Sequence, residues 1–173
     1  MKTITEKRAI ALLKKYAPNE KIFKLVLAHS KKVQQVALRL AKNIDCDKEF
    51  IKTAAILHDI GRFKYFKKNI IKHGIHGAKI LRKEGLLKHA NVCERHLGAG
   101  INKKDIKDQK LPLPKKCYIP LTKEEYIICY ADNLVFGSKE VPFKKVVERF
   151  RKELGDYGVK KLLLLKKKID KLK

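Results

Sequence analysis

Apolar residues recur every three or four positions along most of this chain, the spacing of helices that each bury one face. Ile10, Leu13 and Ala17 mark a first helix over 4–16, stopped at Pro18. The stripe Ile22, Val26, Val33, Val36 and Leu40, widened by Leu25 and Ala37, predicts a long helix over 20–43. Residues 45–47 read as a turn that caps a third helix over 48–59, whose inner face is Phe50, Ile51, Ala54, Ala55 and Leu57 and whose stop is Gly61. A fourth helix opens near His73, carries Ile80 and Leu81 inward and closes at Gly85. A fifth covers 87–97, and Gly98-Ala99-Gly100 breaks it. A short charged helix over 103–109 leads into 111–120, where Pro112, Pro114 and Pro120 forbid regular helix and make a candidate wall or lid. Thr122-Lys123-Glu124-Glu125 is a capping-box signature that starts a strongly apolar helix ending at Gly137. Pro142, at an N1-like position, starts another that runs to about 154. The last, over 159–172, is rich in Leu and Lys, and its run at 162–165 either packs on the bundle or forms an oligomer contact. No stretch alternates like a strand, repeats or reads as a linker, so the pattern predicts one all-α bundle with a core at about 22–137 and helices over 142–172 packed on it.

Several polar residues break the apolar faces. His29 lies on the second helix's stripe, His58 and Asp59 end the third, His96 ends the fifth, and Asp132 sits between Ala131 and Asn133 in the most apolar helix. A buried imidazole needs a partner, and a buried unpaired carboxylate is costly. Each alone is explained by a backbone hydrogen bond. In a chain with only six histidines, so many together point instead to ligands for a divalent metal. Arg62, three residues after Asp59, would point a fixed cation at whatever the metal binds.

Composition changes the picture in one respect. The formal net charge is +25, from 43 Lys and Arg against 18 Asp and Glu, and such a surface attracts polyanions. The same Lys-rich, Trp-free composition is also that of hyperthermophile proteomes, and the two sources are given equal weight. The connector Arg62-Phe63-Lys64-Tyr65-Phe66-Lys67-Lys68 interleaves cations with aromatic rings, as a nucleotide-stacking segment does, or packs its rings back on the core. Cys46, Cys93, Cys117 and Cys129 lack paired spacing, which excludes a zinc ribbon; all but Cys117 read as small buried hydrophobes. No leader-like apolar segment and no run of membrane-spanning length is visible, so a soluble, cytoplasmic protein with no membrane partner is expected.

The order His29, His58-Asp59, His73 or His76, His96, Asp132 resembles the HD superfamily of metal-dependent phosphohydrolases. The match lies in an apolar helix ending in His58-Asp59-Ile60-Gly61, a later His73 followed by Gly77-Ala78, a histidine at a helix end and a helical Ala131-Asp132. The resemblance spans residues 22–137 and implies an HD-domain helical bundle. It implies that His29, His58, Asp59 and Asp132 hold one metal, and that His73 and His96 complete a second. His76 is the alternative to His73, or touches substrate. His89 is left solvated. One or two transition ions (Mn, Fe, Co, Ni or Zn rather than Mg) suit such a site. Asp59 would be shared between the ions and orient the attacking water; Arg62 would clamp phosphate, with Lys64 and Arg95 as weaker candidates. The chain has neither the Gly-Tyr-Pro triplet of the cyclic-dinucleotide phosphodiesterases nor the threonines of the tetraphosphate hydrolases, and it is similar to small archaeal HDIG proteins. The resemblance implies hydrolysis of a phosphomonoester or phosphodiester of a nucleotide, dinucleotide or RNA end. The competing expectation is a non-catalytic nucleic-acid-binding protein with a structural metal. A homo-oligomer is compatible with either.

Overall fold

The computed structural model describes residues 4–65 and 69–173, so Phe66, Lys67 and Lys68 of the basic aromatic connector lie outside the described residues. The helical spacing becomes α1 (Glu6–Tyr16), α2 (Glu20–Leu40), α3 (Lys48–Leu57), α4 (His73–Lys83), α5 (Leu87–Arg95), α6 (Lys103–Asp108), α7 (Lys123–Asn133) and α8 (Phe143–Asp170). Short 3-10 turns at Ile60–Phe63 and Ile70–Lys72 link α3 to α4. No described helix is long and apolar enough to cross a membrane.

Local chemistry explains where these helices start. Thr5, Asn19, Asp47 and Thr122 each accept a hydrogen bond from a backbone N–H of the first turn. At α7 only half of the expected capping box forms. Thr122 accepts from the Glu125 amide, but the Glu125 carboxylate takes the Leu121 amide and Arg95 instead.

Long helix α2 ties two apolar clusters together. Its first half, through Phe23 and Val26, packs with Leu13 of α1, Ile56 and Leu57 of α3, Leu81 of α4 and Cys93 of α5. Its second half, through Val33, Val36 and Ala37, packs with Ile127, Ile128 and Ala131 of α7 and with Val146, Phe150, Leu162 and Ile169 of α8. Each large side chain buried this way contributes roughly 1.5–3 kcal/mol. Tyr118 and Leu113 from the proline-rich segment close a third, smaller cluster with Leu97, Ile101 and Ile106.

Four sequence expectations need correction. Leu25 is 52% exposed and does not widen the α2 stripe inward. His89 is not solvated: it is buried, with Nε2 at 2.9 Å from Thr53 Oγ1. Gly61 does not end α3, which stops at Leu57; it lets the 3-10 turn cross α4. A Cβ on Gly61 would lie 1.9 Å from the His73 carbonyl oxygen and 2.5 Å from the Gly77 nitrogen. Finally, the chain is not strand-free. Val135–Phe136 (β1) pairs antiparallel with Lys139–Glu140 (β2), turning through Gly137 at φ 60° and Ser138. Gly137 therefore serves this hairpin and not the end of α7. The final two predicted helices both form within the α8 range, separated by a kink at Gly155, where φ 64° and ψ −164° are non-helical.

Candidate metal centre

The centre is assembled from helix ends. His58 caps the C-terminus of α3, His96 caps that of α5, and His73 opens α4 directly after the second 3-10 turn. The last carbonyls of a helix lack intrahelical partners. Each of these three histidines donates Nδ1–H to the carbonyl three residues back, at Ile70 alongside the His73 backbone N–H: His58 to Ala55 at 2.7 Å, His73 to Ile70 at 2.6 Å and His96 to Cys93 at 2.8 Å. His29, mid-helix on α2, has no such carbonyl beside it. The β1–β2 turn supplies one, the Gly137 oxygen, 2.7 Å from His29 Nδ1.

A proton on Nδ1 leaves a lone pair on Nε2 in the neutral ring. All four Nε2 atoms turn toward Asp59 and Asp132. Asp59 Oδ2 lies 3.5 Å from His29 Nε2 and 3.8 Å from His58 Nε2. Asp132 Oδ1 lies 3.0 Å from His29 Nε2 and 3.5 Å from His58 Nε2. On the other side, Asp59 Oδ1 lies 3.1 Å from His73 Nε2 and 3.5 Å from His96 Nε2, and those two nitrogens are 2.8 Å apart. Asp59 therefore faces two nitrogen pairs with two different oxygens.

This arrangement fits a metal and fits little else. His58, Asp59, His73 and His96 are buried, and His58 Nε2 and Asp59 Oδ1 have no hydrogen-bond partner. Two neutral imidazoles cannot bond through facing lone pairs at 2.8 Å; a cation between them resolves the conflict. The donor atoms fall into three overlapping groups: His29-His58-Asp59, His58-His96-Asp132 and Asp59-His73-His96. Nearby Cys93 adds no thiolate. Burial pushes its thiol pKa well up, and its Sγ points to the Leu57 and His58 carbonyl oxygens. A donor set of imidazole and carboxylate without thiolate suits a borderline transition ion.

Without a metal the cluster must draw protons. Burial raises the Asp59 carboxyl, but the charges of His58 and His73 outweigh it and hold the group well below the carboxylate range. Asp132 is held low against burial mainly by His29 and His58. Burial likewise disfavours charge on His29, yet Asp132 and Asp59 lift it to about 9.

The first 3-10 turn aligns Arg62 with Asp59, since residues three apart eclipse in that geometry. Arg62 Nε donates to Asp59 Oδ2 at 2.5 Å. A cleft of about 570 Å³ opens beside His29 and Asp132 and is lined further by Asp59, Arg62, Phe136 and Arg149. The remaining sequence-predicted residues lie apart. Lys64 is exposed, its amine over the Tyr65 ring. His76 meets Tyr65 edge-on and joins no metal group, so the structure brings His73 to the cluster. Arg95 does not reach the cleft; its guanidinium binds both Glu125 carboxylate oxygens, at 2.9 and 3.1 Å. Phe136 and Arg149 are not among the predicted site residues. A signal existed for the first: Gly137-Ser138 between Val135-Phe136 and Lys139-Glu140 is a two-residue hairpin pattern.

Comparison with known proteins follows the same lines. Residues 26–137 match the protein family described as the HD domain. An uncharacterised protein of Methanocaldococcus jannaschii is 38% identical over 169 residues, covering 95% of this chain and 96% of that protein. Two proteins named tRNA (cytidine(56)-2'-O)-methyltransferase, from Picrophilus torridus and Thermoplasma volcanium, are 40% and 36% identical over 79% and 86% of this chain. The chain spans only 39% and 41% of those two proteins. Two solved structures of the L. monocytogenes phosphodiesterase PgpH HD domain, one in complex with cyclic-di-AMP, share the fold. Their TM-scores are 0.57 and 0.56 at 21% and 18% identity, covering 91% and 93% of this chain and 83% and 94% of theirs.

Proposed function

The chain belongs to the HD-domain family, and on that premise we propose that it is a metal-dependent phosphohydrolase acting on a phosphate ester of a nucleotide, dinucleotide or RNA end. One observation carries the reading: four histidines, each fixed by a backbone carbonyl at Nδ1, aim Nε2 at two carboxylates in a pocket with orphaned buried atoms. His29, His58, Asp59 and Asp132 would hold one ion, and Asp59, His73 and His96 a second. When bound, such ions activate water near neutral pH and polarise a phosphoryl oxygen.

The chain's own residues do the rest. Asp59 presents one oxygen to each nitrogen pair and so sets the spacing of the centre. Arg62 is anchored through Nε, which leaves its terminal nitrogens to take two phosphate oxygens from the cleft side. That anchoring removes rotamer freedom before substrate arrives. Burial keeps bulk water from the Asp59, His73 and His96 side, whereas His29 and Asp132 stand where substrate enters.

RNA is the preferred substrate class. The +25 charge favours a polyanion, and two proteins named for tRNA methylation carry a region similar to this chain. The same charge favours the second reading, a non-catalytic RNA binder with a structural metal. A panel of mononucleotides, dinucleotides, cyclic dinucleotides and short RNAs, incubated with protein loaded with Mn, Co or Ni, tests both. Metal-dependent hydrolysis that falls at least ~10³-fold in Asp59→Asn supports the enzyme. RNA binding without hydrolysis, retained in His58→Ala, supports the binder.

A further inference from the structure

Arg149 lies on α8, beyond the residues that match the family, yet it lines the cleft with Arg62, Asp59 and Asp132. Its guanidinium sits 4.5 Å from the centre of the Phe136 ring and 5.3 Å from that of Phe150. Nη2 donates to Asn133 Oδ1 at 3.0 Å. Asn133 is itself fixed, because its amide nitrogen donates to the Gly98 and Cys129 carbonyls and so turns Oδ1 toward the arginine. The planar cation is thus held in place by two rings and one hydrogen bond.

What it lacks is an anion. No carboxylate pairs with Arg149 among the described residues, and its buried Nε has no hydrogen-bond partner. Most cations of this protein are exposed lysines that water satisfies. A half-buried guanidinium is different: part of its hydration is lost, and two rings and one neutral amide oxygen replace it without supplying a counter-charge. Its Nε is enclosed, so the part of the group that an anionic acceptor in the cleft can meet is its terminal nitrogens.

Resting on the phosphohydrolase reading, we propose that Arg149 binds a second phosphoryl group of the substrate, separate from the one that Arg62 and the metal centre engage. Preferred substrates then carry at least two phosphates, as an oligonucleotide or a nucleoside bisphosphate does. Two fixed guanidinium groups on one cleft discriminate against single phosphates because a monophosphate satisfies only one of them. Arg149 is therefore a specificity-determining binding residue.

The test compares adenosine 3′,5′-bisphosphate with AMP, by equilibrium binding to the metal-loaded protein and by hydrolysis, in wild type, Arg149→Gln and Arg62→Gln. Wild type should prefer the bisphosphate. Arg149→Gln should reduce that preference at least tenfold, the loss expected for a charge-assisted hydrogen bond, whereas Arg62→Gln weakens both ligands alike. An unchanged preference in Arg149→Gln overturns the proposal, and so does failure of wild type to bind either ligand. If Arg149→Gln does not fold, Arg149→Lys keeps the charge but not the fork, and must reduce the preference at least threefold. Hydrolysis with unchanged preference leaves the phosphohydrolase reading standing without this proposal. Lost preference without hydrolysis by the wild type counts against the phosphohydrolase reading and leaves Arg149 a phosphate-binding residue with no role in substrate choice.

Discussion

Protons and metal compete at individual residues of this centre. Metal-free His29 holds a proton below about 9, because Asp132 and Asp59 outweigh the effect of burial. An ion on Nε2 must displace that proton. Apparent metal affinity should therefore climb with pH toward about 9, by up to about tenfold per unit, and level off above it. Titrating Mn into the protein in buffers of different ionisation enthalpy should report proton release below that pH; affinity independent of pH would contradict it. His89 behaves oppositely. Burial, with a smaller push from Lys88, lowers it from 6.5 to about 4. Its neutral form is favoured by folding, so this stability is complete above about 6.5 and is lost as pH falls toward 4, at up to ~1.4 kcal/mol per unit and ~3 kcal/mol in all. His89→Gln should flatten the acid limb of a stability-versus-pH curve; an unaltered limb would show that His89 does not set it. Five of the candidate metal residues, His29, His58, Asp59, His96 and Asp132, stood out in the sequence because they interrupted apolar faces, whereas His73 came only through the family resemblance, with His76 as its alternative. His89 was misread although it lies four residues before Cys93 and seven before His96, hence on the same helix face. Its partner Thr53 comes from a different helix, which local periodicity cannot reveal.

Among the secondary-structure elements, spacing fixed the positions of the helices well and their ends less well. α3 stops at Leu57, because its last turn is used to orient His58. The 3-10 turn that follows exists to align Asp59 and Arg62 and to cross α4 at Gly61. Nothing in the apolar pattern encodes that crossing, since it depends on what a side chain at 61 would strike. Gly61→Ala should force the turn off the His73 carbonyl, destabilise the fold by about 1–3 kcal/mol and displace His73 from the cluster. Denaturant unfolding and metal content read the two effects; a variant of wild-type stability that keeps its full metal complement would refute this account of the crossing. The β1–β2 hairpin escaped notice because it is two residues a side, too short for alternation to register. It matters because its turn holds His29 through the Gly137 carbonyl.

For the molecule as a whole, charge and architecture act separately. The clusters joined by α2 bring candidate ligands from five helices into three overlapping groups, and this depends on no surface charge. The +25 charge acts at long range instead. Transfer-RNA binding should weaken on the order of a hundredfold or more between 50 and 200 mM salt. Binding insensitive to salt would remove the charge from the account. The central claim is that His29, His58, Asp59, His73, His96 and Asp132 form one two-ion centre. Its most direct test is a count of metal ions per chain by elemental analysis, after loading with Mn and removal of the excess. The account predicts two ions in the wild type and none in Asp59→Asn/His58→Ala. A wild-type chain that retains one ion or none would contradict it.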